Sequence, residues 1–378
     1  MNNSNGNFGI IVSGGPAPGI NSVIASVVYT ATGMGFQVYG FSKGLVGIME
    51  TGAQSARLLT PEDVIPIQNK GGSILRTIRY NPFAKEHDAE KFFSALEELN
   101  IDKLVMIGGE GTAYLSLQIL NRRKDIQVVH IPKTIDNDLI LPNEHPSFGF
   151  ETARQIGTKL MSTIITEAKT TDRWFIVKTM GRNAGFLALG LGMAAGASLT
   201  IVPEQFSKGT TPDEVANVIL SSMKKRYYSG KTYGTVVLAE GIIDLLSPES
   251  LNNLEGITRD PIGRISFSEV DLEDIIVHVL KEKLKNENIS IRLKSENIGY
   301  VLRCAEPISF DIEYTRFLGY GAVKFLLEGK TGITVVKNHD SLDYVMLENM
   351  SDENGNIKSR KIDLESDLYK VACNFMFK

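Results

Sequence analysis

The chain has 378 residues, 43% of them hydrophobic and 22% charged, and its 40 Lys and Arg against 44 Asp and Glu give a net charge of −4 at pH 7. This composition excludes a disordered or fibrous protein and argues against general nucleic-acid binding. Two cysteines, no signal-peptide pattern at the start and no apolar run approaching 18 residues favour a cytoplasmic protein that does not contact a membrane.

The first 140 residues alternate short apolar runs with amphipathic segments. Glycine-rich or polar loops follow several of the runs, and apolar spacings of three and four residues indicate helices between them. In chain order we predict strand Phe8–Val12, helix Asn21–Thr32, strand Gln37–Phe41, helix Asp88–Leu99, strand Lys103–Ile107, helix Thr112–Leu120 and strand Val128–Ile131.

The pattern starts again after Phe148. We predict helix Thr152–Glu167, strand Trp174–Val177, helix Ala184–Ala197, strand Leu199–Val202, helix Thr211–Tyr227, strand Thr235–Leu238, helix Leu272–Lys285 and a strand end at Gly299–Arg303. Strands that alternate with helices predict an α/β fold with a mostly parallel sheet, whose ligands bind beyond the carboxyl ends of the strands. A second domain begins near residue 150, and the chain returns to the first after about residue 303.

Two glycine loops lie at such strand ends, Ser13-Gly14-Gly15 and Gly108-Gly109-Glu110-Gly111-Thr112. Glycines let the backbone approach a phosphate closely, and a following helix offers amide donors. A carboxylate among the glycines also suits Mg²⁺. Each loop alone is equally compatible with a tight turn or a capped helix start, and neither matches G-x-G-x-x-G or the Walker A pattern.

A third strand end carries Lys133-Thr134-Ile135-Asp136-Asn137-Asp138. One aspartate is suited to act as a base toward a hydroxyl, and the other to contact a metal. Dispersed cations next to small residues complete the pattern, because arginine forks bind phosphate. Together the loops, aspartates and cations indicate phosphoryl transfer. The cations are Arg79, Arg173, Arg182, Lys294 and Arg303.

At this point the sequence resembles the phosphofructokinase family, from Gly9 to about residue 340. The resemblance rests on six motifs in the order of the family. They are Ser13–Asn21, Gly108–Thr112, Pro132–Asp138, Met180-Gly181-Arg182, Ala239-Glu240-Gly241 and Gly299–Arg303. It implies two Rossmann-like three-layer domains and phosphoryl transfer to the 1-hydroxyl of fructose 6-phosphate, a step of glycolysis.

The resemblance also implies roles. Asp136 matches the general base, Thr134 and Arg182 lie near the transferred group, and Glu110 and Asp138 match the carboxylates that organise Mg²⁺. The phosphoryl donor, ATP or pyrophosphate, is expected to bind at Gly14, Gly15, Arg79, Gly109, Gly111, Thr112 and Lys133.

The sugar phosphate is expected at Thr134, Asp136, Met180, Gly181, Arg182, Glu240, Tyr300 and Arg303. Arg173 and Lys294 match cations that reach the 6-phosphate from a neighbouring subunit, which implies a homodimer or homotetramer. The donor domain is expected to comprise residues 1–149 and about 304–345. The sugar-phosphate domain is expected to comprise 150–303 and the C-terminal tail 346–378.

The chain departs from the family pattern at several positions. Glu110 stands where the family usually has Asp, and Arg76 adds a cation near the donor. Gly111 leaves room for a nucleotide, whereas Lys133 is the residue that pyrophosphate-using enzymes carry. This combination resembles ATP-using members of the pyrophosphate-related branch, so we expect ATP as donor and keep pyrophosphate as the alternative.

Two further hypotheses belong to other classes of protein. The first is a catalytically weak subunit that binds sugar phosphate for regulation, supported only by Glu110 and Arg76. The second is a dinucleotide oxidoreductase, which lacks the required glycine fingerprint and its acidic residue. A third expectation concerns control: Ile24 and Val28 replace arginines that bind an effector in well-known bacterial members, so we expect no such effector site here.

Overall fold

A computed structural model describes residues 6–252, 270–353 and 355–376 of the chain. Residues 1–5, part of the segment in which we found no signal-peptide pattern, and residues 253–269 of the expected second domain lie outside the described part. The chain divides into two compact units. Unit 1 comprises Met1–Thr134, Leu139–Thr152 and Arg303–Ser359, and unit 2 comprises Ile135–Asp138, Ala153–Leu302 and Arg360–Lys378.

The secondary structure alternates strands and helices as the sequence predicts. The strands are β1 Asn7–Val12, β2 Val38–Phe41, β3 Ala56–Leu58, β4 Ile101–Gly108, β5 Gln127–Pro132, β6 Trp174–Thr179, β7 Leu199–Ile201, β8 Gly234–Ala239, β9 Leu293–Asn297, β10 Ile333–Asn338 and β11 Ser341–Met346. The helices are α1 Ile20–Gly33, α2 Leu45–Thr51, α3 Pro61–Val64, α4 Glu86–Glu98, α5 Glu110–Arg122, α6 Phe150–Thr171, α7 Phe186–Ala195, α8 Pro212–Tyr228, α9 Pro248–Asn252, α10 Leu272–Asn286, α11 Gly299–Arg303, α12 Ser309–Leu327 and α13 Asp367–Asn374.

Among the described residues of unit 1, one sheet has the strand order β11-β10-β5-β4-β1-β2-β3. Its five central strands, β10 to β2, run parallel, and the two edge strands β11 and β3 are antiparallel to their neighbours. Helices cover both faces of the sheet. Because successive side chains of a strand point to opposite faces, neighbouring residues of β1 pack against different helices. Ile10 packs with α1 and α12 on one face, and Ile11 packs with α2, α4 and α5 on the other. Unit 1 is therefore a three-layer α/β unit.

In the described part of unit 2 a second sheet has the order β7-β8-β6-β9, with every pair parallel. One face carries Trp174 and Ile176 against α8 and α10. On the other face α7 approaches closely, since a side chain at Gly192 would meet Thr200 and Val237. The predicted α/β class with mostly parallel sheets is thus confirmed. No helix in either unit, over the described residues, has the length and apolar character needed to cross a bilayer.

Several sequence-based expectations differ from the structure. The segment Gly299–Arg303, expected as a strand end, is helix α11, and the strand that precedes it is β9 at Leu293–Asn297. The tail expected in the second domain is divided, with residues 346–359 in unit 1 and only 360–378 in unit 2. The physical cause is long-range pairing: β11 pairs with β10, and Leu347, Met350 and Ile357 pack with Leu117 of α5.

A further difference concerns four residues that follow β5. Residues Ile135–Asp138, expected in the donor domain, belong to unit 2. We expected the second domain to begin at residue 150. Helix α6 begins there, at Phe150, but unit 2 resumes three residues later, at Ala153.

A buried histidine ties three strands of unit 1 together. His130 of β5 is fully buried, with its Nδ1 3.0 Å from the Thr334 hydroxyl of β10 and its Nε2 2.8 Å from the Gly108 carbonyl oxygen of β4. Burial lowers the pKa of His130 from 6.5 to about 4, and the nearby Lys133 charge adds to the shift. The ring is therefore neutral at pH 7, with Nε2–H donating to Gly108.

We expect His130 to make stability depend on pH. Unfolding returns its pKa to about 6.5, so the unfolded state binds a proton between pH 6.5 and 4 that the folded state does not. Stability from this group is therefore complete above pH 6.5 and falls as the pH drops. Between pH 7 and 5 the loss should be about 2 kcal/mol.

The measurement is urea unfolding of the wild type and of His130→Gln at pH 7 and pH 5. The glutamine keeps an amide donor near Gly108 but cannot titrate, so the carboxylates that titrate in both proteins cancel in the comparison. The wild type should lose about 2 kcal/mol more than the variant on acidification. An equal loss in both proteins would show that the buried ring contributes nothing to the pH dependence.

Candidate active site

Three loops of unit 1 meet at one edge of its sheet. They follow β1, β4 and β5, which are adjacent and parallel, so their carboxyl ends lie side by side. The chain reverses its strand order between β1 and β4, which is where open α/β sheets bind ligands. The Ser13 amide donates to the Ile107 carbonyl oxygen at 3.0 Å, and this bond joins the first two loops at their base.

The loop after β1 is held by side chains from elsewhere in unit 1. The Lys133 ammonium donates to the Gly15 carbonyl oxygen, and its nitrogen lies 3.4 Å from where a side chain would begin at Gly14. The Thr77 hydroxyl donates to the Gly14 carbonyl oxygen at 2.7 Å. Gly14 has a φ of 84°, which glycine adopts without strain. Lys133 is only 3% exposed, so its charge is fixed against this loop.

A second cation, the guanidinium of Arg303, lies next to Gly15. The guanidinium of Arg303 occupies the space that any side chain at Gly15 would need. Lys133 and Arg303 therefore both contact the second glycine of the loop. Buried or partly buried cations next to bare backbone favour a compact anion such as phosphate.

The loop after β4 opens helix α5. The Gly109 carbonyl oxygen accepts from the Thr112 and Ala113 amides at 3.0 Å each, and Glu110 is the first residue of the helix. The positive end of the helix favours negative charge here, whether from Glu110 or a ligand. Around Gly111, a side chain would meet nothing within 4 Å. Below the loop, the Gly108 carbonyl oxygen accepts from the Lys133 amide at 2.8 Å as well as from His130.

The other predicted site residues of unit 1 are Thr112 and Arg79 for the phosphoryl donor and Thr134 for the sugar phosphate. Thr112 is 3% exposed and packs against Gly108. Thr134 has its carbonyl oxygen held by the Ser147 hydroxyl at 2.8 Å. Arg79 is exposed, in the same segment as Arg76, whose φ of 59° is unusual for a residue with a side chain.

The predicted effector positions carry no charge in unit 1. Ile24 and Val28 are fully buried on α1 and pack with Leu318 of α12. A cation at either position would have to enter this apolar core, which is costly without a partner.

The predicted catalytic aspartates are held within unit 2. The Arg182 amide lies 3.4 Å from Asp136 Oδ2, and the Asn183 side-chain amide donates to Asp138 Oδ2 at 2.9 Å. Asp136 is partly exposed, whereas Asp138 is 6% exposed. Asn137 between them has a φ of 55°, a conformation that asparagine tolerates. Asp136 can therefore meet a ligand, while Asp138 is fixed more deeply.

Loops at the carboxyl edge of the sheet in unit 2 carry most of the predicted sugar-phosphate residues. The Gly241 amide donates to the Gly181 carbonyl oxygen at 3.0 Å, which ties the loop after β6 to the loop after β8. Glu240 is 9% exposed, whereas Tyr300 at the start of α11 is 53% exposed. The residues at this edge are Met180, Gly181 and Arg182 after β6, Glu240 after β8 and Tyr300 after β9.

Arg173 and Lys294 lie at the other edge of this sheet. Arg173 precedes β6, and Lys294 is paired with Phe175 near the start of β9. The whole of β6 separates Arg173 from Met180, so their Cα atoms are about 23 Å apart at 3.3 Å per residue. The fold of unit 2 therefore does not bring these two cations to the loops that carry Met180 and Arg182.

Sequence analysis missed Asn183, Thr77 and His130. Asn183 directly follows the Met180-Gly181-Arg182 motif, so its neighbourhood was the available signal. Thr77 and His130 act on backbone carbonyls of the glycine loops, and no sequence pattern marks such contacts.

The donor set of the site is oxygen-rich. Within the residues that the structure describes, no group of three or more His, Cys, Asp or Glu side chains could by itself hold a metal ion. Mg²⁺ commonly binds through one or two carboxylates and completes its shell with water and substrate phosphates. A single buried carboxylate such as Asp138 therefore fits Mg²⁺ brought in with a phosphorylated ligand, and does not fit a resident zinc centre.

Comparison with curated proteins finds both donor types. A pyrophosphate–fructose 6-phosphate 1-phosphotransferase of Thermotoga maritima is 42% identical, over 98% of this chain and 90% of its own. One of the same name from Naegleria fowleri is 38% identical, over 98% and 88%. An ATP-dependent 6-phosphofructokinase of a Thermoanaerobacter species is 31% identical, over 89% and 91%.

A solved structure, that of a pyrophosphate-dependent phosphofructokinase from Marinobacter aquaeolei, superposes with a TM-score of 0.74. The superposition covers 99% of this chain and 92% of that one, at 18% identity, and it confirms the fold. The family profile described as Phosphofructokinase matches residues 7–326. With this match and relatives of up to 42% identity among those named above, the chain belongs to the phosphofructokinase family.

Proposed function

We propose that the protein transfers a phosphoryl group from pyrophosphate to the 1-hydroxyl of fructose 6-phosphate. The observation that carries the proposal is the likeness to two relatives named for this reaction, at 42% and 38% identity over nearly the whole chain. The ATP-dependent relative is more distant, at 31%.

Lys133 supports pyrophosphate on physical grounds. Its ammonium is buried against the Gly14-Gly15 backbone, and Arg303 lies against the same glycine. Pyrophosphate carries its whole negative charge on two phosphates, so two fixed cations at the loop neutralise a large share of it. A nucleotide would place part of its binding energy elsewhere, on the base and ribose.

Our expectation of ATP is not confirmed. It rested on the missing side chain at Gly111, and the space around Gly111 is indeed open. Open space around Gly111 is compatible with ATP and with pyrophosphate, because the smaller pyrophosphate meets no steric or electrostatic penalty there. A positively charged group that binds phosphate is the more informative feature, and that group is Lys133.

The proposed mechanism assigns Asp136 as general base. The proton of the sugar 1-hydroxyl passes to Asp136, the oxygen attacks the nearer phosphorus of pyrophosphate, and the bond to the bridging oxygen breaks to release phosphate. Transfer of this kind depends on positioning and charge neutralisation. The amide of Gly14 and the guanidinium groups of Arg79 and Arg182 supply the positive charge around the transferring group.

Mg²⁺ would be held by Asp138 and Glu110 together with the phosphates, and it would neutralise their charge. Glu110 reaches one methylene further than the usual Asp, and it projects from the first turn of α5. A cation with near-octahedral demands tolerates that length when a water completes the contact.

Sugar binding is proposed for Met180, Gly181, Glu240 and Tyr300. The position of Arg173 and Lys294 at the far edge of their sheet supports the prediction that they serve the 6-phosphate of a neighbouring subunit in a homodimer or homotetramer. The number of subunits stays a prediction.

The first test is a donor comparison. Formation of fructose 1,6-bisphosphate is measured with fructose 6-phosphate and Mg²⁺ fixed, and with pyrophosphate or ATP supplied separately. Pyrophosphate should give the higher kcat/KM. Turnover with ATP alone would replace this proposal by the ATP-dependent activity, and silence with both donors would favour the regulatory subunit.

The second test removes the base. Asp136→Asn keeps the size of the side chain but cannot accept the proton, so kcat should fall roughly 10²- to 10⁴-fold. The matched control is Asp340→Asn, an exposed aspartate in the turn between β10 and β11, which should keep wild-type rates. Unchanged kcat in Asp136→Asn would refute the assignment.

The third test removes the buried charge at the donor loop. Lys133→Met keeps the length of the side chain and loses the ammonium, so the KM for pyrophosphate should rise roughly 10- to 100-fold, as expected for a lost charge-assisted hydrogen bond. The KM for fructose 6-phosphate should change little. The control is Lys124→Met, an exposed lysine after α5. Equal increases in both KM values would indicate a general disturbance instead of a donor contact.

A further inference from the structure

The C-terminal part of the chain contacts the loop between β6 and α7 of unit 2, residues 180–185, which is called the catalytic loop below. Three consecutive residues, Arg360, Lys361 and Ile362, are called the C-terminal strap below. They lie beyond the region 7–326 that matches the family profile. Sequence motifs therefore assign the strap no role, and its function has to be argued from its contacts.

The first contact of the strap is with Asp138. The Arg360 amide donates to the Asp138 carbonyl oxygen at 2.7 Å. The Asp138 carboxylate is held separately by the Asn183 side chain at 2.9 Å. The residue is thus fixed at its backbone by the strap and at its side chain by the loop after β6.

The second contact closes this arrangement. The Lys361 ammonium donates to the Asn183 carbonyl oxygen. Asn183 therefore holds Asp138 with its side chain while Lys361 holds the backbone of Asn183. Its chain neighbour Arg182 lies with its amide 3.4 Å from the Asp136 carboxylate, so the same loop also touches the proposed base.

The third contact anchors the end of the loop. Glu204 Oε1 accepts from the Gly185 amide at 3.1 Å and from the Ile362 amide at 3.0 Å. The Arg360 guanidinium lies 4.5 Å from the centre of the Phe186 ring at the start of α7. One carboxylate thus joins the strap to the residue before α7, and a cation–π contact joins it to the helix itself.

We propose that the C-terminal strap positions the catalytic loop: Lys361 and the Arg360 amide act as positioning groups that hold Asp138 and the Arg182-Asn183 backbone in their working geometry. The inference rests on the proposed function, since it takes Asp136 and Asp138 as the reacting and metal-binding carboxylates. Because the strap contacts described above hold the backbone of Asp138 and of Asn183, we expect it to act on rate through the placement of these groups.

The side chain of Lys361 gives the cleaner test. Lys361→Met removes the ammonium and keeps the aliphatic length, so the loop loses one charge-assisted bond and the placement of Asn183 loosens. We expect kcat to fall about 10-fold and the Mg²⁺ concentration for half-maximal rate to rise. The KM for fructose 6-phosphate should stay within about twofold, because the strap contacts described above go to Asp138, Asn183, Glu204 and Phe186. Lys361→Arg restores a cation and should recover most of the rate.

The matched control is Lys358→Met, an exposed lysine three residues earlier in the chain. It should leave kcat and the Mg²⁺ dependence unchanged. A fall in kcat of equal size in Lys358→Met and Lys361→Met, or none in Lys361→Met, would overturn the proposal.

A second pair of variants tests the backbone bond. Arg360→Pro removes the amide that donates to Asp138 as well as the guanidinium, whereas Arg360→Ala keeps that amide and removes only the guanidinium. The proline variant should lose more kcat than the alanine variant. Equal kcat in the two would contradict a role for the amide.

Hydrogen–deuterium exchange separates failure of the strap from failure of the proposed function. In the wild type, amides of residues 181–185 should exchange more slowly than in Lys361→Met, whatever donor the enzyme uses. If pyrophosphate fails as donor but exchange and the ATP rate respond to Lys361→Met, the strap stands and the donor proposal falls. If exchange is identical in both proteins, the strap proposal falls regardless of the donor.

Discussion

The parallel pairing of β5, β4 and β1 is the constraint on which the donor loops depend. Parallel neighbours end at the same edge, so the glycines after β1, the glycines after β4 and Lys133 after β5 come together without any contact specific to them. Specific contacts then refine the arrangement: Lys133 reaches back two strands to the Gly15 carbonyl oxygen, and His130 holds the Gly108 carbonyl oxygen from below. An apolar residue at position 130 could fill the space but would leave the Thr334 hydroxyl without its histidine partner.

Much of the fold follows from local patterns. Strands β1, β4 and β5 are short, mostly apolar runs; β4 ends at glycine, β5 ends at proline, and β1 is followed by Ser13 and two glycines. Their helices have apolar faces that pack on the sheet. The sequence prediction is wrong where the decisive contacts are distant. Residues 346–359 join unit 1 through pairing of β11 with β10, and no nearby residue signals this pairing. The apolar pair Tyr300 and Val301 suggested a strand end, yet both are more than half exposed in one turn of helix.

The candidate site shows the same division. Residue types that carry charge or bare backbone were predictable, since Asp136, Lys133 and the glycines stand in motifs. The groups that hold them were not, because a hydroxyl or amide that binds a carbonyl oxygen has no characteristic spacing. Thr77, Asn183 and Lys361 are of this kind. Thr77 fixes the Gly14 carbonyl oxygen and Asn183 fixes the Asp138 carboxylate, and both of these partners are motif residues. Lys361 in turn fixes the backbone of Asn183.

Gly15 illustrates how two demands can fall on one residue. The family motif requires glycine there so that a phosphate can approach the backbone. In this chain the guanidinium of Arg303 lies in the space of the missing side chain, so alanine at position 15 would require the Arg303 guanidinium to move away from the loop even in the absence of any ligand. Arg303 itself was expected to serve the sugar phosphate, and its contact with Gly15 puts its charge on the donor loop as well. In the proposed reaction, a cation placed there would lower the energy of the negative charge that develops around the transferring group, and such stabilisation is a main contribution of proteins to phosphoryl transfer.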